Sequence, residues 1–474
     1  FRFFKSAKKH KNKTVILSDI LQSGKSDEEL YTEVAALCKE KGVKKIIGIG
    51  SAIINYKHLF EIENEFYPDT ETFLNNLKLN DFKNQSILLK GSRIYEFERI
   101  SNVLEQKVHQ TVLEINLSAI INNLNYFRGL LKPDTKVMAM VKAFSYGSGS
   151  FEIANALQFH KVDYLAVAYA DEGVELRKAG INLPIMVMNP EEESFVAMFK
   201  YKLEPEIYSF RILSILEKSL YIQQVDEIVP IHIKLDTGMH RLGFEENDIE
   251  KLIELLKNNT KLKIASVFSH LAAADDKTHD NFTLSQIDKF DRLSNKIINN
   301  FNYLILRHIL NSAGIHRFPQ AQYDMVRLGI GLYGVHYNEQ EQFKLQNVSK
   351  LKSCISQIKE IPANTSIGYN RSFIAKDNMK IAVIPIGYAD GLSRTLSNGK
   401  GKVLIKGKFA PIVGNICMDM CMVDITNINC NEGDEVIIFG EDYPIIEFAK
   451  TLGTIPYEVL TSISRRVKRI YYQE

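Results

Sequence analysis

No run of about 18 apolar residues occurs in this 474-residue chain, which removes an ordinary membrane-spanning helix. Charge of one sign is also scarce. Lys and Arg total 59 against 57 Asp and Glu, and a net +2 gives no general reason to bind nucleic acid or a membrane surface. The basic stretch FRFFKSAKKHKNK is local, lacks the apolar core of a signal peptide and is read as a solvated terminus. Cysteine is sparse too. Cys38, Cys354, Cys417, Cys421 and Cys430 are odd in number and irregularly spaced, which argues against a disulfide framework and for a reducing cytoplasm. Cys417 and Cys421 look like half a zinc site. No second pair follows, and both lie in the alternating run NICMDMCMVDI, so they are read as strand packing and no metal site is expected. The chain begins without Met and is expected to be the C-terminal part of a longer polypeptide.

What remains is an ordinary globular composition, 45% apolar and 24% charged, in a chain too long for one core. Residues 1–105 predict a small α/β domain. The strands TVILSD, KKIIGIG and QSILLKG alternate with helices, the first opened by a capping box at Ser26 and Glu29. SGKS at 23–26 resembles the end of a phosphate loop, but Asp19 stands where its leading glycine should be, so no nucleotide loop is read there. Residues 110–347 carry eight strand-like runs: KVMAMVKA, YLAVAYA, PIMVMN, EPEIYS, PIHIKLD, IASVFSHL, LRHILNS and MVRLGIGLYG. Helical patterns fill the gaps, and the whole predicts a (β/α)₈ TIM-type barrel. Residues 348–474 are turn-punctuated and mostly β, ending in two short helices. The fold class is therefore α/β with a β-rich C-terminal domain.

Barrels of this kind place their chemistry at the C-terminal ends of the strands. Lys142, Lys234, His270, Asn311, Ser312 and Arg327 all fall at or near such ends. Lys142 closes the first barrel strand and precedes a Tyr-Gly-Ser-Gly turn. A lysine there can form a Schiff base, and backbone N–H groups in the turn can meet a phosphate.

Seven motifs in order resemble the alanine racemase family: MVKAFSYGSG, KLDTGMHRLGF, FSHLAAADD, HILNSAG, VRLGIGLYG, PIGYADG and GNICMDMCM. They cover about residues 110–474. The resemblance implies pyridoxal 5′-phosphate (PLP) as cofactor and alanine as substrate, with D-alanine supplied to peptidoglycan. Lys142 matches the lysine that holds PLP as a Schiff base. Tyr146, Asn311, Ser312 and the N–H groups of Gly329 and Ile330 match the cofactor and phosphate contacts. Arg327 matches the donor to the pyridine nitrogen, His308 the residue that buttresses it, and His270 an imidazole packed on the cofactor ring. Arg241 matches the arginine that holds the cofactor's phenolic oxygen and the substrate carboxylate. Lys234 matches a lysine, often carbamylated, that would steer Arg241. Tyr369 matches a second catalytic base that reaches the partner's barrel in a head-to-tail homodimer. Tyr388 and Met418 match substrate-side groups, and Asp275 and Asp419 an entrance corridor. Arg465 stands where many relatives carry a tyrosine that contacts the phosphate and narrows the entrance; it is assigned to the entrance, where an arginine could pair with the phosphate instead.

Residues 1–105 resemble the C-terminal domain of the UDP-N-acetylmuramoyl-tripeptide–D-alanyl-D-alanine ligase, in VILSDILQSG and LLKGSRIYEFERI. The ATP-binding domain of that ligase is missing, so no ligation is expected. Two other readings accompany the racemase one: a serine or broad-specificity racemase of the same fold, and a non-catalytic PLP carrier with a vestigial ligase domain. The β-rich domain and Tyr369 argue against the carrier.

Overall fold

The computed structural model describes residues 12–21, 24–104 and 110–473. Residues 1–11 of the basic stretch, Ser23 of SGKS and the junction at 105–109 lie outside the described residues. The chain forms two units, Phe1–Val108 and His109–Glu474.

The first unit is a four-stranded parallel sheet. Its strands are β1 (Asn12–Ser18), β2 (Lys45–Ile49), β3 (Glu63–Tyr67) and β4 (Gln85–Lys90), in the order β3-β2-β1-β4. The helix Asp27–Glu40 begins where the sequence places it, with the Ser26 hydroxyl accepting from the Glu29 N–H at 3.4 Å. β3 was not expected. Its sequence, ENEFY, is charged and half-exposed, as suits an edge strand, and it has no apolar run to announce it.

The second unit opens with β5 (Val112–Asn116). Eight parallel strands follow: β6 (Lys136–Met140), β7 (Tyr164–Val167), β8 (Ile185–Val187), β9 (Glu204–Ile207), β10 (Val229–Lys234), β11 (Leu262–Phe268), β12 (Leu306–His308) and β13 (Met325–Leu328). They run in sequence order, with β13 returning to pair with β6. Two backbone hydrogen bonds, Asp324 N–H to Arg307 O (3.1 Å) and Arg327 N–H to Leu310 O (2.9 Å), draw β12 and β13 together and leave the barrel nearly closed. Each strand matches one predicted run. The last run is shorter as a strand than expected: after Leu328 the chain turns into a 3₁₀ helix, Ile330–Tyr333.

The β-rich part contains β14 (Ser349–Cys354), β15 (Gln357–Ile361), β16 (Ser366–Ile367), β17 (Phe373–Ile374), β18 (Met379–Ile384), β19 (Lys402–Ile405), β20 (Lys408–Val413), β21 (Cys421–Asp424), β22 (Glu435–Phe439) and β23 (Lys468–Tyr472). Lys406 and Gly407 both take positive φ in the two-residue β19–β20 hairpin, the backbone that matches strand twist. The nine-stranded sheet has the order β15-β18-β21-β20-β19-β22-β14-β5-β23. β5 therefore belongs to this sheet, antiparallel to β14 and parallel to β23, although the sequence had placed 110–347 wholly in the barrel. Its buried Val112, Leu113 and Ile115 are covered by that sheet. The strand expected through NICMDMCMVDI is also corrected. It begins only at Cys421, and Cys417 lies in the turn before it, where its N–H donates to Met420 O at 2.8 Å. All five cysteines are free thiols. No described helix is long and apolar enough to cross a membrane.

Candidate active site

The chain leaves β6 through a backbone that few sequences adopt. Ala143, Phe144, Ser145 and Tyr146 all have φ near the left-handed region (52°, 56°, 49° and 52°). Each such residue costs roughly 1–2 kcal/mol relative to the right-handed form. The turn is held from several sides. The Glu172 carboxylate accepts the Ala143 N–H at 2.6 Å, Arg469 Nε donates to Gly147 O at 2.9 Å, and Ser145 and Tyr146 are buried. Gly147 continues the turn at φ 78°, and any Cβ there would collide with the Leu460 carbonyl. The strain is thus maintained by the C-terminal segment packing onto the turn, and its result is to fix where Lys142 begins.

Lys142 lines a cavity of ≈ 390 Å³. Tyr146, Arg241, His270, Asp275, Asn311, Ser312, Arg327, Gly329 and Ile330 line it too. The sequence had singled out each of these. Burial first, then the Arg241 cation, lowers the Lys142 pKa; Glu172 and Glu206 pull the other way, and Arg327 adds a lesser lowering. A neutral amine is thus reached at lower pH than for a free lysine.

Arg327, 3% exposed, is the most constrained side chain in the site. It donates to His308 Nδ1 (2.7 Å), to the carbonyls of Ser269 (2.5 Å) and Ile309 (3.1 Å), and to His270 Nδ1 (3.2 Å). Burial pushes its pKa down to about 10, which leaves it charged at neutral pH. A guanidinium only donates, so the direction of the chain behind it is fixed. His308 accepts at Nδ1 and donates from Nε2 to Ser266 Oγ (2.8 Å). Ser266 donates to His232 Nδ1 (2.7 Å), and His232 Nε2 donates to Glu204 (2.9 Å). Burial, reinforced by Arg327, holds His308 neutral, with its pKa well below the usual imidazole value, and its ring lies flat on Phe268. Ser266, His232 and Glu204 escaped the sequence reading, because alternation on β9, β10 and β11 gives no sign of which inward polar residues meet.

At the other end of the cavity, Ser312 Oγ accepts the N–H groups of Gly329 (3.0 Å) and Gly331 (3.3 Å), while the Asn311 side chain caps the helix Ser312–Arg317. A Cβ on Gly329 would lie 3.1 Å from Tyr146 Oη, so glycine keeps this floor open. Tyr146 packs against Tyr333 and Tyr457, with centroids 4.6 and 5.7 Å away. A hydroxyl, a helix N-terminal residue and glycine N–H groups around one end of a cavity, with a lysine and an arginine at the other, fit a phosphorylated aromatic cofactor. Lys234 is buried 3.6 Å from Glu206, above the Phe268 ring.

The structure separates the other expected residues from this cavity. Tyr369 (67% exposed), Tyr388 (45%) and Met418 (53%) sit on loops of the nine-stranded sheet, and none lines the cavity. They are neighbours of one another. Asn415 Nδ2 donates to Tyr369 O, and the Tyr388 and Ala389 N–H groups donate to the Cys417 and Met418 carbonyls. Asp419 belongs to the same group and accepts from Arg466 Nη2 at 2.7 Å. Arg465 lies 4.9 Å from the Phe144 ring and does not line the Lys142 cavity. Ile455, Pro456 and Tyr457 line the cavity instead.

A sequence profile described as "Alanine racemase, N-terminal domain" matches residues 115–337, and "Alanine racemase, C-terminal domain" matches 348–471. The chain is 40% identical over 376 residues to an alanine racemase of Methanococcus maripaludis, covering 77% of this chain and 99% of the relative. It is 39% identical to alanine racemase 2 of Caldanaerobacter subterraneus subsp. tengcongensis, covering 77% and 95%. Among solved structures, alanine racemase of Clostridium difficile 630 superposes with a TM-score of 0.72 at 38% identity, covering 77% of this chain and 96% of that one. Alanine racemase of Bartonella henselae with covalently bound pyridoxal phosphate does so at 0.70 and 32%, covering 77% and 99%.

Proposed function

The chain belongs to the alanine racemase family, and we propose from that premise which of its groups carry the reaction. It interconverts L- and D-alanine with PLP. Bound PLP supplies the electron sink that acidifies the substrate Cα–H bond. The chain supplies everything else. Lys142 carries the cofactor and is the base on one face, made competent by burial and by Arg241 and Arg327. Arg241, lining the cavity, holds the substrate carboxylate, and Lys234 steers it. Arg327 donates to the ring nitrogen without surrendering a proton. Tyr146, Ser312 and the N–H groups of Gly329 and Ile330 hold the phosphate.

Tyr369 is the base on the opposite face. In support, it is exposed beside Tyr388 and Met418 and lies away from its own chain's cavity, as a residue delivered to a second copy must be. The active unit in this reading is a head-to-tail homodimer, and its D-alanine goes to peptidoglycan.

The observation that carries the reading is a lysine with lowered pKa at the end of the first barrel strand, in one cavity with Arg327 and Tyr146. Borohydride treatment of the PLP-loaded protein is expected to fix the cofactor on the peptide containing Lys142, read by mass spectrometry. Trapping at any other lysine would overturn the assignment. A racemisation assay over a panel of small amino acids is expected to rank alanine first.

For the first unit, we propose a ligase C-terminal-like domain without ligase activity. The two resembling motifs meet at the C-terminal ends of β1 and β4. There the Ser92 N–H donates to Ser18 Oγ (2.8 Å) and Tyr95 Oη to Asp19 (2.6 Å). Every group named in the mechanism lies in His109–Glu474. A chain starting at Lys107 is therefore expected to keep most of its turnover. A loss above about tenfold, worth roughly 1.4 kcal/mol, would show that the first unit supports the site.

A further inference from the structure

We propose that His316, His336 and Glu341 form a binding site for one divalent transition-metal ion, with zinc as the fitting occupant. The three come from different segments. His316 is in the last turn of the helix Ser312–Arg317, His336 follows the 3₁₀ helix Ile330–Tyr333, and Glu341 lies in the 3₁₀ segment Glu339–Lys344. Their ligand atoms all lie within 4.8 Å of one another. His316 Nε2 is 3.2 Å and His336 Nε2 3.8 Å from the Glu341 carboxylate oxygen. Zinc–nitrogen and zinc–oxygen bonds of about 2.0–2.1 Å set tetrahedral donors about 3.3 Å apart, so small side-chain rotations close the set.

A second observation points the same way. The His336 side chain is fully buried, and its Nε2 has no hydrogen-bond partner. A buried polar atom left in that state is costly unless something fills its coordination. The opposite ring nitrogen is engaged with Asn338, 3.0 Å from its carbonyl oxygen and 3.1 Å from its backbone nitrogen, whose N–H donates to it. His316 repeats the arrangement, its Nδ1 3.1 Å from Tyr337 Oη. A ring held through Nδ1 with Nε2 turned toward the other donors is the arrangement metal-ligating histidines show. Two imidazoles with one carboxylate favour zinc-like ions over magnesium or calcium, which take oxygen donors.

One cation already contends for the site. Lys344 Nζ lies 2.9 Å from the Glu341 oxygen that faces both histidines. A bound ion would displace it and tie the 336–344 segment to the helix whose first residue, Ser312, accepts the Gly329 and Gly331 N–H groups. His336 and Tyr337 also line the Lys142 cavity, so the ion would stiffen its phosphate end.

The test is calorimetric titration of the chelator-treated, PLP-loaded protein with zinc chloride, repeated with cobalt(II) followed by visible absorption. One ion per chain is expected, with cobalt bands of a low-coordinate nitrogen/oxygen site. His336→Ala and Glu341→Gln should weaken binding about tenfold or more. Lys344→Ala should tighten it by removing the competing cation, and Cys417→Ser should leave it unchanged. Glu341→Gln keeps the shape of a half-buried side chain and Lys344→Ala changes an exposed one, so the test stands even if His336→Ala does not fold. Absence of a saturable site in the parent, or affinity that ignores both Glu341→Gln and Lys344→Ala, would overturn the proposal.

Discussion

Mixing Lys142→Ala subunits with Tyr369→Phe subunits is expected to restore racemisation that neither has alone. Removing the tyrosine hydroxyl deletes a general base, an effect of roughly 10²–10⁴ in rate. Replacing Lys142 deletes both the cofactor anchor and the other base, so its loss is at least as large. The geometry makes the pair separable. Lys142 is inside the barrel cavity, while Tyr369 is 67% exposed on a loop of the nine-stranded sheet. If each site takes its lysine from one chain and its tyrosine from the other, a mixed dimer has one site with both bases and one with neither. The measurement is L-alanine turnover after denaturing and refolding the two variants together, with mixed dimers verified by native mass spectrometry. Verified mixed dimers without recovered activity would place both bases on one chain.

Arg327→Glu is expected to slow racemisation by roughly 10²–10³, as for loss of a preorganised donor, and to raise the share of turnovers ending in transamination. The side chain matters for what it cannot do. A guanidinium keeps its protons, so it donates a hydrogen bond to the ring nitrogen without charging it. A carboxylate at the same place would favour the protonated ring, deepening the electron sink and lengthening the life of the carbanion. The substitution also disturbs its neighbours. His308 Nδ1 would face an acceptor instead of a donor, and the relay through Ser266 and His232 to Glu204 would have to reverse. The Ser269 and Ile309 carbonyls would lose their Arg327 donor, at about 1–3 kcal/mol for each buried acceptor left unmet, so a lower melting temperature is expected as well. Pyruvate release measured beside racemisation separates the chemical effect from the structural one. Slow but clean racemisation would show that Arg327 positions the site without setting its reaction specificity.

Much of this arrangement was legible in the sequence, for definite reasons. The eight barrel strands are short apolar runs separated by amphipathic helices, so periodicity locates them, and Lys142, Lys234 and Arg327 stand out as charges at apolar strand ends. Other features have no local signature. The left-handed turn at 143–146 uses Ala, Phe, Ser and Tyr, none of which announces positive φ, because the turn is imposed by Glu172, Arg469 and Leu460 from distant segments. Arg465 was assigned to the entrance because its position matches a tyrosine, and its contact with the Phe144 ring raised by that turn has no sign in the sequence. β3 has no apolar run, as suits an edge strand, and β5 was assigned to the barrel because sequence adjacency outweighed a pairing that only the finished sheet reveals.

That pairing has a consequence for how the molecule is made. β5 leaves the ribosome before any barrel strand, yet its neighbours are β14 and β23, which emerge after the barrel is complete. Val112 must wait for Lys468. Until β14 emerges the nascent chain therefore carries an apolar strand with both edges open, while the barrel grows between it and its partners. β23 brings with it Arg469, which braces the turn after Lys142. The site can reach its final shape only after Arg469 has emerged, so a chain cut before that residue would carry the catalytic lysine without the brace that positions it.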